Sequence, residues 1–231
     1  MSKNIPQAQL KKNAALHALS FITEEISYLG LGTGSTVNCL LEYLAQPEYK
    51  KILKNISAIV SSSDQTTALI KKLNLNIPIE NLNNIGTVDL YLDGADEVNP
   101  FNQLIKGGGG ALTREKILAA ASKTFICLVD ETKYVQTLGK FPLPIEVIPM
   151  ARSYVARELI QLGGQPFYRE NFTTDNQQII LDVRNLDCSK PIALEQAINQ
   201  ITGVVTCGLF AARPADKVII ASQTGIIENT K

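Results

Sequence analysis

The sequence predicts an α/β fold in two parts, and three observations carry that prediction. Over the first ~140 residues, short apolar runs alternate with helical patterns, as successive βαβ units do. The stretch FPLPIEVIP at 141–149 then changes the texture: its three prolines exclude a long helix and mark a boundary. Beyond it the elements run β-α-β-β-α-β, the order of a split βαβ module. We therefore expect a Rossmann-like parallel-sheet domain over residues 1–141 and 213–231, and a smaller ferredoxin-like α+β domain over 142–212.

Taken in order, the chain opens with an amphipathic helix whose apolar face is Leu10, Ala14, Ala18, Phe21 and Ile22. Residues 28–31 form a strand that runs into GTGST, and Val37, Leu40, Leu41 and Leu44 recur at helical spacing behind it. A second strand at 57–60 leads to SSSD, which offers caps for a helix carrying Ala68, Leu69 and Leu73. Residues 88–92 are a strand ending at Asp93; 112–122 read as a helix and 124–129 as the next strand. After the boundary comes an edge-type strand, where proline is tolerated. A helix at 151–162 follows, then the Gly163-Gly164 turn and strands at 166–169 and 178–183. A helix at 192–201 and one strand at 204–210 complete the module, and a strand at 218–221 returns to the first sheet.

Composition narrows the function. Of 231 residues, 45% are hydrophobic, and 22 Lys and Arg balance 22 Asp and Glu, so a general nucleic-acid or anionic-membrane coat is not indicated. Any anionic ligand must be held by a local arrangement. The start, MSKNIPQAQLKK, lacks the apolar core of a signal peptide, and Cys39, Cys127, Cys188 and Cys207 stand far apart with no C-x-x-C pair. A soluble cytoplasmic protein with free thiols is expected. A single histidine, His17, cannot build a His-rich zinc site and is expected to be structural.

Three motifs carry chemistry. Gly30-Leu31-Gly32-Thr33-Gly34-Ser35-Thr36 joins a strand to a helix and presents N–H groups and hydroxyls to an anion. It lacks the lysine of a P-loop and the glycine spacing of a dinucleotide fingerprint, so a phosphate cradle competes with a plain tight turn. Asp93-Gly94-Ala95-Asp96-Glu97 places three carboxylates beyond a strand, to be read as a solvated turn, as sugar-hydroxyl contacts or as a metal site. Lys106 precedes Gly107, Gly108, Gly109 and Gly110, and Glu115 follows in the first turn or so of a helix. Four bare residues suit close approach of backbone to a ligand. Taken singly, Glu115 reads as a complement to the helix dipole; a cation, backbone donors and a carboxylate together are what proton abstraction next to a carbonyl requires, which sets a base against that plain role.

GLGTGSTV, YLDGADEVN, KGGGGALTREK and KFPLPIEVIPMA, in this order and spacing, closely resemble ribose-5-phosphate isomerase of the A type, as does GVVTCGLFA near the end. The resemblance implies interconversion of D-ribose 5-phosphate and D-ribulose 5-phosphate in the pentose phosphate pathway. It also implies no metal and no cofactor, and a homodimer or a tetramer with the small domain at the interface. Matched by motif, Glu115 falls on the family's base, Asp93 and Asp96 on its two acids, and Lys106 on the lysine before the glycines. Thr33, Gly34, Ser35 and Thr36 fall on its phosphate loop; Gly94, Ala95, Gly107, Gly108, Gly109 and Lys133 fall on substrate contacts. Asp93 is expected to assist opening of the furanose ring. Gly110 stands where many relatives have alanine, and FITEEISYLG is short for the connection it makes, which leaves Lys11 and Lys12 as alternatives for reaching the phosphate.

Three rivals share the features only in part. A sugar-phosphate-sensing regulator would need a helix-turn-helix module ahead of the first strand. A coenzyme A transferase would use the glutamate as a nucleophile, and a phosphotransferase would need a metal at DGADE.

Overall fold

The computed structural model describes residues 4–231. Residues 1–3, the head of the start read above, lie outside the described residues. α1 (Gln7–Ala18) buries Leu10, Ala14, Ala15 and Ala18 and ends there; a 3-10 turn (Leu19–Phe21) carries the apolar stripe on, so Phe21 and Ile22 lie beyond the helix rather than on its face. β1 (Tyr28–Leu31), α2 (Ser35–Leu44), β2 (Ala58–Ser61) and α3 (Asp64–Lys72) follow. Ser63 caps α3 by accepting from the Thr66 N–H. The buried positions of α3 are Thr66 and Ile70, while Ala68 faces solvent and Leu69 and Leu73 are only partly covered. A short α4 (Leu82–Ile85) precedes β3 (Val88–Gly94).

Next come two strands of two residues each, β4 (Glu97–Val98) and β5 (Leu104–Ile105), too short for a periodic signal in the sequence. α5 (Leu112–Ala120) and β6 (Ser122–Asp130) complete the first run of alternating units. The second run is β7 (Leu143–Val147), α6 (Arg152–Gln161), β8 (Gln165–Tyr168), β9 (Ile179–Arg184), α7 (Pro191–Asn199) and β10 (Val204–Cys207). The chain closes with β11 (Leu209–Phe210), β12 (Lys217–Ser222) and β13 (Gly225–Thr230).

The main sheet has the order β13-β12-β6-β3-β1-β2, parallel except for β13. Alternation along the strands covers both faces. Leu29, Leu31, Leu90, Leu92, Ile126 and Leu128 pack with α1 and α2, while Tyr91, Phe125, Cys127 and Val129 pack with Leu118 and Ala119 of α5. This is the Rossmann-like domain, and β12 returns to it as expected. The second run forms an antiparallel sheet ordered β10-β7-β9-β8, the ferredoxin-like arrangement, with Val155, Leu159 and Ile198 of its two helices in the core.

Two expectations need correction here. The proline-bearing β7 is not an edge strand; it lies between β10 and β9. Pro144 is tolerated because its carbonyl, and with it the side where its N–H would be, faces Gly208, where β10 has already ended. The single strand expected at 204–210 is split at that same glycine. β10 stays in the antiparallel sheet, while β11 crosses to β5 and β4 in a small three-stranded sheet. A Cβ on Gly208 would lie 2.2 Å from the Lys106 carbonyl oxygen and 2.9 Å from Pro144 Cδ. The Lys106 N–H donates to the Gly208 carbonyl at 2.9 Å, so this crossing fixes the backbone from which Lys106 projects.

Gly208→Ala should therefore lower stability by about 2 kcal/mol, as overpacking against fixed backbone does, and depress the melting midpoint by roughly 4–8 °C. Thermal unfolding by circular dichroism checks it; an unchanged midpoint would mean that the crossing is slack.

Candidate active site

Five parallel strands in the order β2-β1-β3-β6-β12 reverse direction of winding between β1 and β3, and the loops leaving those two strands open a crevice at their carboxyl ends. GLGTGST and DGADE are those loops. A cleft of about 140 Å³ lies there, walled by residues 33–36, 94–96 and 106–109 with Lys11, Glu115, Asp130 and Lys133.

One end brings a helix start and a lysine together. Gly34 precedes α2 at φ 117°, and no side chain caps the first N–H groups of that helix, in contrast to Ser63 on α3. Uncapped N–H groups at a helix start present positive charge to a ligand. Lys11 reaches from α1 and donates to Ser35 Oγ at 3.0 Å. Lys12 lines a separate hollow with Cys39 and Glu42, so of the two lysines only Lys11 stands at the cleft. Thr33 is turned inward: its hydroxyl bonds Ser62 and Ser63 at 2.8 Å each, and its N–H donates to Asp93 Oδ1. Lys133, in the 3-10 turn after β6, lies on the far wall with its ammonium 6.0 Å from the Phe141 ring centroid.

The other end holds a buried charge cluster. Lys106 is 2% exposed, and its ammonium stands 2.7 Å from Asp93 Oδ2 and 3.2 Å from Glu115 Oε2. It donates to the Gly94 carbonyl as well. Burial works against its charge, but Asp93 and Glu115 outweigh that and hold its pKa above the ordinary lysine value. Burial pushes Glu115 up to about 8; Lys106 opposes the rise and the negative charge of Asp93 reinforces it. Glu115 lines the cleft; its buried Oε2 lies within ion-pair distance of Lys106, and among the described residues no donor meets that oxygen in hydrogen-bond geometry.

Asp93, expected at the substrate, lies behind Lys106 at 0% exposure and does not line the cleft. Its oxygens are taken by Lys106, the N–H groups of Thr33 and Gly94, and the hydroxyl of Tyr91. Burial, with Asp93 beside it, holds the Tyr91 phenol in its protonated form, well above its ordinary pKa. Tyr91 was invisible in the sequence because it reads as one more apolar residue of β3. The three carboxylates of DGADE go separate ways. Asp96 lines the cleft and accepts from the Gly108 N–H at 2.8 Å through Oδ2, while Oδ1 has no hydrogen-bond donor among the described residues. Glu97 accepts from the Gly139 and Phe141 N–H groups. Among the described residues no three His, Cys, Asp or Glu side chains are grouped to hold a metal ion.

The glycine run is a tight turn in which the Gly110 N–H donates to the Gly107 carbonyl at 2.9 Å. Gly107 and Gly110 have φ of 104° and 85°. A Cβ on Gly110 would fall 2.1 Å from the Phe172 ring, so this glycine seats an aromatic cover. Asp130, at the end of β6, accepts from the Gln7 amide and the Thr132 N–H and completes the wall; the VD that ends the strand marks it in the sequence.

Fold and cleft together define an α/β protein of the enzyme type, with titratable side chains and a helix start facing one small cleft at the carboxyl ends of its strands. The family model for ribose 5-phosphate isomerase A (phosphoriboisomerase A) matches residues 58–225. Over 222 residues, 96% of each chain, this chain is 56% identical to ribose-5-phosphate isomerase A of Francisella tularensis subsp. novicida (strain U112). Its fold matches ribose 5 phosphate isomerase A from Neisseria gonorrhoeae with a TM-score of 0.91 at 43% identity, covering 98% of each chain. It matches a D-ribose-5-phosphate isomerase in complex with phospho-erythronic acid with a TM-score of 0.92 at 36% identity, covering 98% of this chain and 100% of the other. The chain belongs to the ribose 5-phosphate isomerase A family, as its motifs led us to expect.

The raised Glu115 pKa has a consequence for stability. Its burial is fully tolerated only below the ordinary value of 4.5, and stability is lost as pH rises toward and through about 8. Glu115→Gln removes that loss. Its melting midpoint relative to the parent should climb across that window and level off above it; a pH-independent difference would contradict the burial argument.

Proposed function

We propose that this enzyme interconverts D-ribose 5-phosphate and D-ribulose 5-phosphate through a cis-enediolate, with Glu115 as base, in the pentose phosphate pathway. The observation that carries the reading is the buried Lys106–Glu115 pair at the cleft wall, 3.2 Å apart. The phosphate docks on the N–H groups of Gly34, Ser35 and Thr36 with Lys11, and Lys133 closes on the sugar from the far wall. Asp96, whose Oδ1 is free, is the carboxylate at hand for ring opening. Asp93 serves through Lys106, by holding the ammonium in place.

Glu115 then takes the C2 proton as the electron pair moves onto the C1 carbonyl oxygen. The hydroxyl proton passes from O2 to O1, and Glu115 returns its proton to C1. The Lys106 ammonium and the Gly109 N–H hold the developing negative charge. General-base catalysis of this kind contributes about 10²–10⁴ in rate, and a preorganised oxyanion donor about 3–4 kcal/mol. No step calls on a metal or cofactor.

We further read the chain as a homodimer that works in the cytoplasm, divided into units 1–141 with 213–231 and 142–212. Support comes from exposed apolar side chains gathered on the second unit, Met150, Ile160 and Phe167 among them, and from four free cysteines. Among the described residues no helix is long and apolar enough to cross a membrane.

The deciding experiment follows ribose 5-phosphate by NMR in D₂O with excess EDTA. Ribulose 5-phosphate should appear with deuterium entering at C1, and Glu115→Gln should cut kcat by about 10³-fold or more with the fold intact. Turnover that stops with EDTA and returns with Mg²⁺ would overturn the mechanism. Below pH about 8, kcat/KM should fall tenfold per unit, because the base must be ionised in the free enzyme. Lys11→Ala should raise KM about tenfold and leave kcat within about twofold, the loss expected when one charge-assisted contact to phosphate is removed.

A further inference from the structure

We infer that Arg169 is a positioning residue for the reaction: from the small sheet it fixes the Gly108–Gly109 peptide so that the Gly109 N–H points into the cleft. The inference rests on the isomerase reading above and adds to it a residue from outside the four motifs.

Arg169 follows β8 directly, and its N–H extends that pairing by donating to the Ile180 carbonyl at 3.0 Å. Its guanidinium is locked in a two-pronged pair with Asp182 of β9, at 2.8 Å from Nε and 2.5 Å from Nη2. A planar fork held this way has little freedom left, so its remaining donor has a defined aim. That donor, Nη1, meets the Gly108 carbonyl at 3.2 Å and the Gly107 carbonyl at 3.4 Å. The guanidinium also lies 5.2 Å from the centroid of Phe172, the ring that sits over Gly110. One segment of the small sheet thus meets the glycine run at both ends.

Arg169 approaches from outside. It lines a separate hollow with Phe141, Phe167 and Arg184, and takes no part in the catalytic cleft. Across a trans peptide, C=O and N–H point in opposite directions. With the Gly108 carbonyl drawn outward to Arg169, the Gly109 N–H is turned inward, where Gly109 forms part of the cleft wall. The neighbouring peptide is pinned as well, since the Gly108 N–H goes to Asp96. The Gly109 N–H has no acceptor among the described residues, as a donor reserved for a ligand would. Without the guanidinium, the four-glycine turn is free to rotate that peptide, which has no side chain to resist.

The test compares Arg169→Met, which keeps the side-chain length and removes every donor, with the parent and Glu115→Gln. Arg169→Met should lower kcat about 10- to 100-fold, as misdirection of one oxyanion donor does, with KM for ribose 5-phosphate within about twofold. The acidic limb of its kcat/KM profile should stay where the parent's is, because Arg169 does not touch the Lys106–Glu115 pair. Unchanged kcat would overturn the inference. So would a fall in kcat accompanied by a displaced limb, which would report general distortion of the site. Should Arg169→Met not fold, Asp182→Asn decides: it frees the guanidinium and should show the same kcat-only loss in weaker form, and parent-like kcat would overturn the inference. Retained turnover in Glu115→Gln would instead sink the base assignment while leaving the Arg169 comparison readable.

Discussion

An ammonium group buried to 2% exposure is tolerable only if opposite charge and hydrogen-bond acceptors surround it, and Lys106 sets that requirement for the whole site. Asp93 answers it at 2.7 Å, and Asp93 in turn needs donors for its other positions: the N–H groups of Thr33 and Gly94 and the Tyr91 hydroxyl. Those donors belong to the β1 loop and to β3 itself, so the same ion pair ties the two loops of the crevice together. The Lys106 backbone is held from behind by Gly208, which brings in the far end of the chain. Glu115 is the member left over. Its raised pKa follows first from burial, which Lys106 only partly offsets and the charge of Asp93 reinforces.

Much of this was legible in the residues. Hydrophobic alternation and turn chemistry gave β1, α2 and the later β-α-β-β-α-β order, because those segments are long enough to carry a period. The loops at the strand ends were readable because glycine, aspartate and lysine runs have few structural excuses. What escaped notice depends on distance in sequence. The split at Gly208 is forced by Lys106 and Pro144, more than sixty residues away, and nothing near Gly208 announces it. β4 and β5 are pairs of residues made strands only by their partners. Asp93 and Asp96 look alike in DGADE, and only the packing sends one behind the lysine and leaves the other at the cleft. Arg169 sits in YRENF, where an arginine after a strand is unremarkable until Asp182 and the glycine carbonyls meet it.

The small antiparallel sheet is therefore more than an appendage to the parallel one. It contributes Arg169 and Phe172 to the back of the glycine turn, and Glu146 of β7 accepts from Thr113, in the same first turn of α5 as Glu115. Buried polar groups of this kind are costly unless fully partnered, and here Thr174 and Asn176 supply the remaining donors. Rigid-body motion between the two sheets would have to break these contacts first, so the glycine turn is tied to the small sheet.

Gly32 shows what such packing means for descent. A Cβ there would stand 1.8 Å from the Asp93 carboxyl carbon, so no side chain at 32 can coexist with the aspartate at 93. The two positions are epistatic: a substitution at Gly32 becomes acceptable only in a lineage that has already given up Asp93, and with it the partner of Lys106. The order of mutational steps is thus closed in one direction. Selection that keeps the lysine's counter-ion also keeps the glycine directly after the strand, although that glycine is not part of the cleft wall.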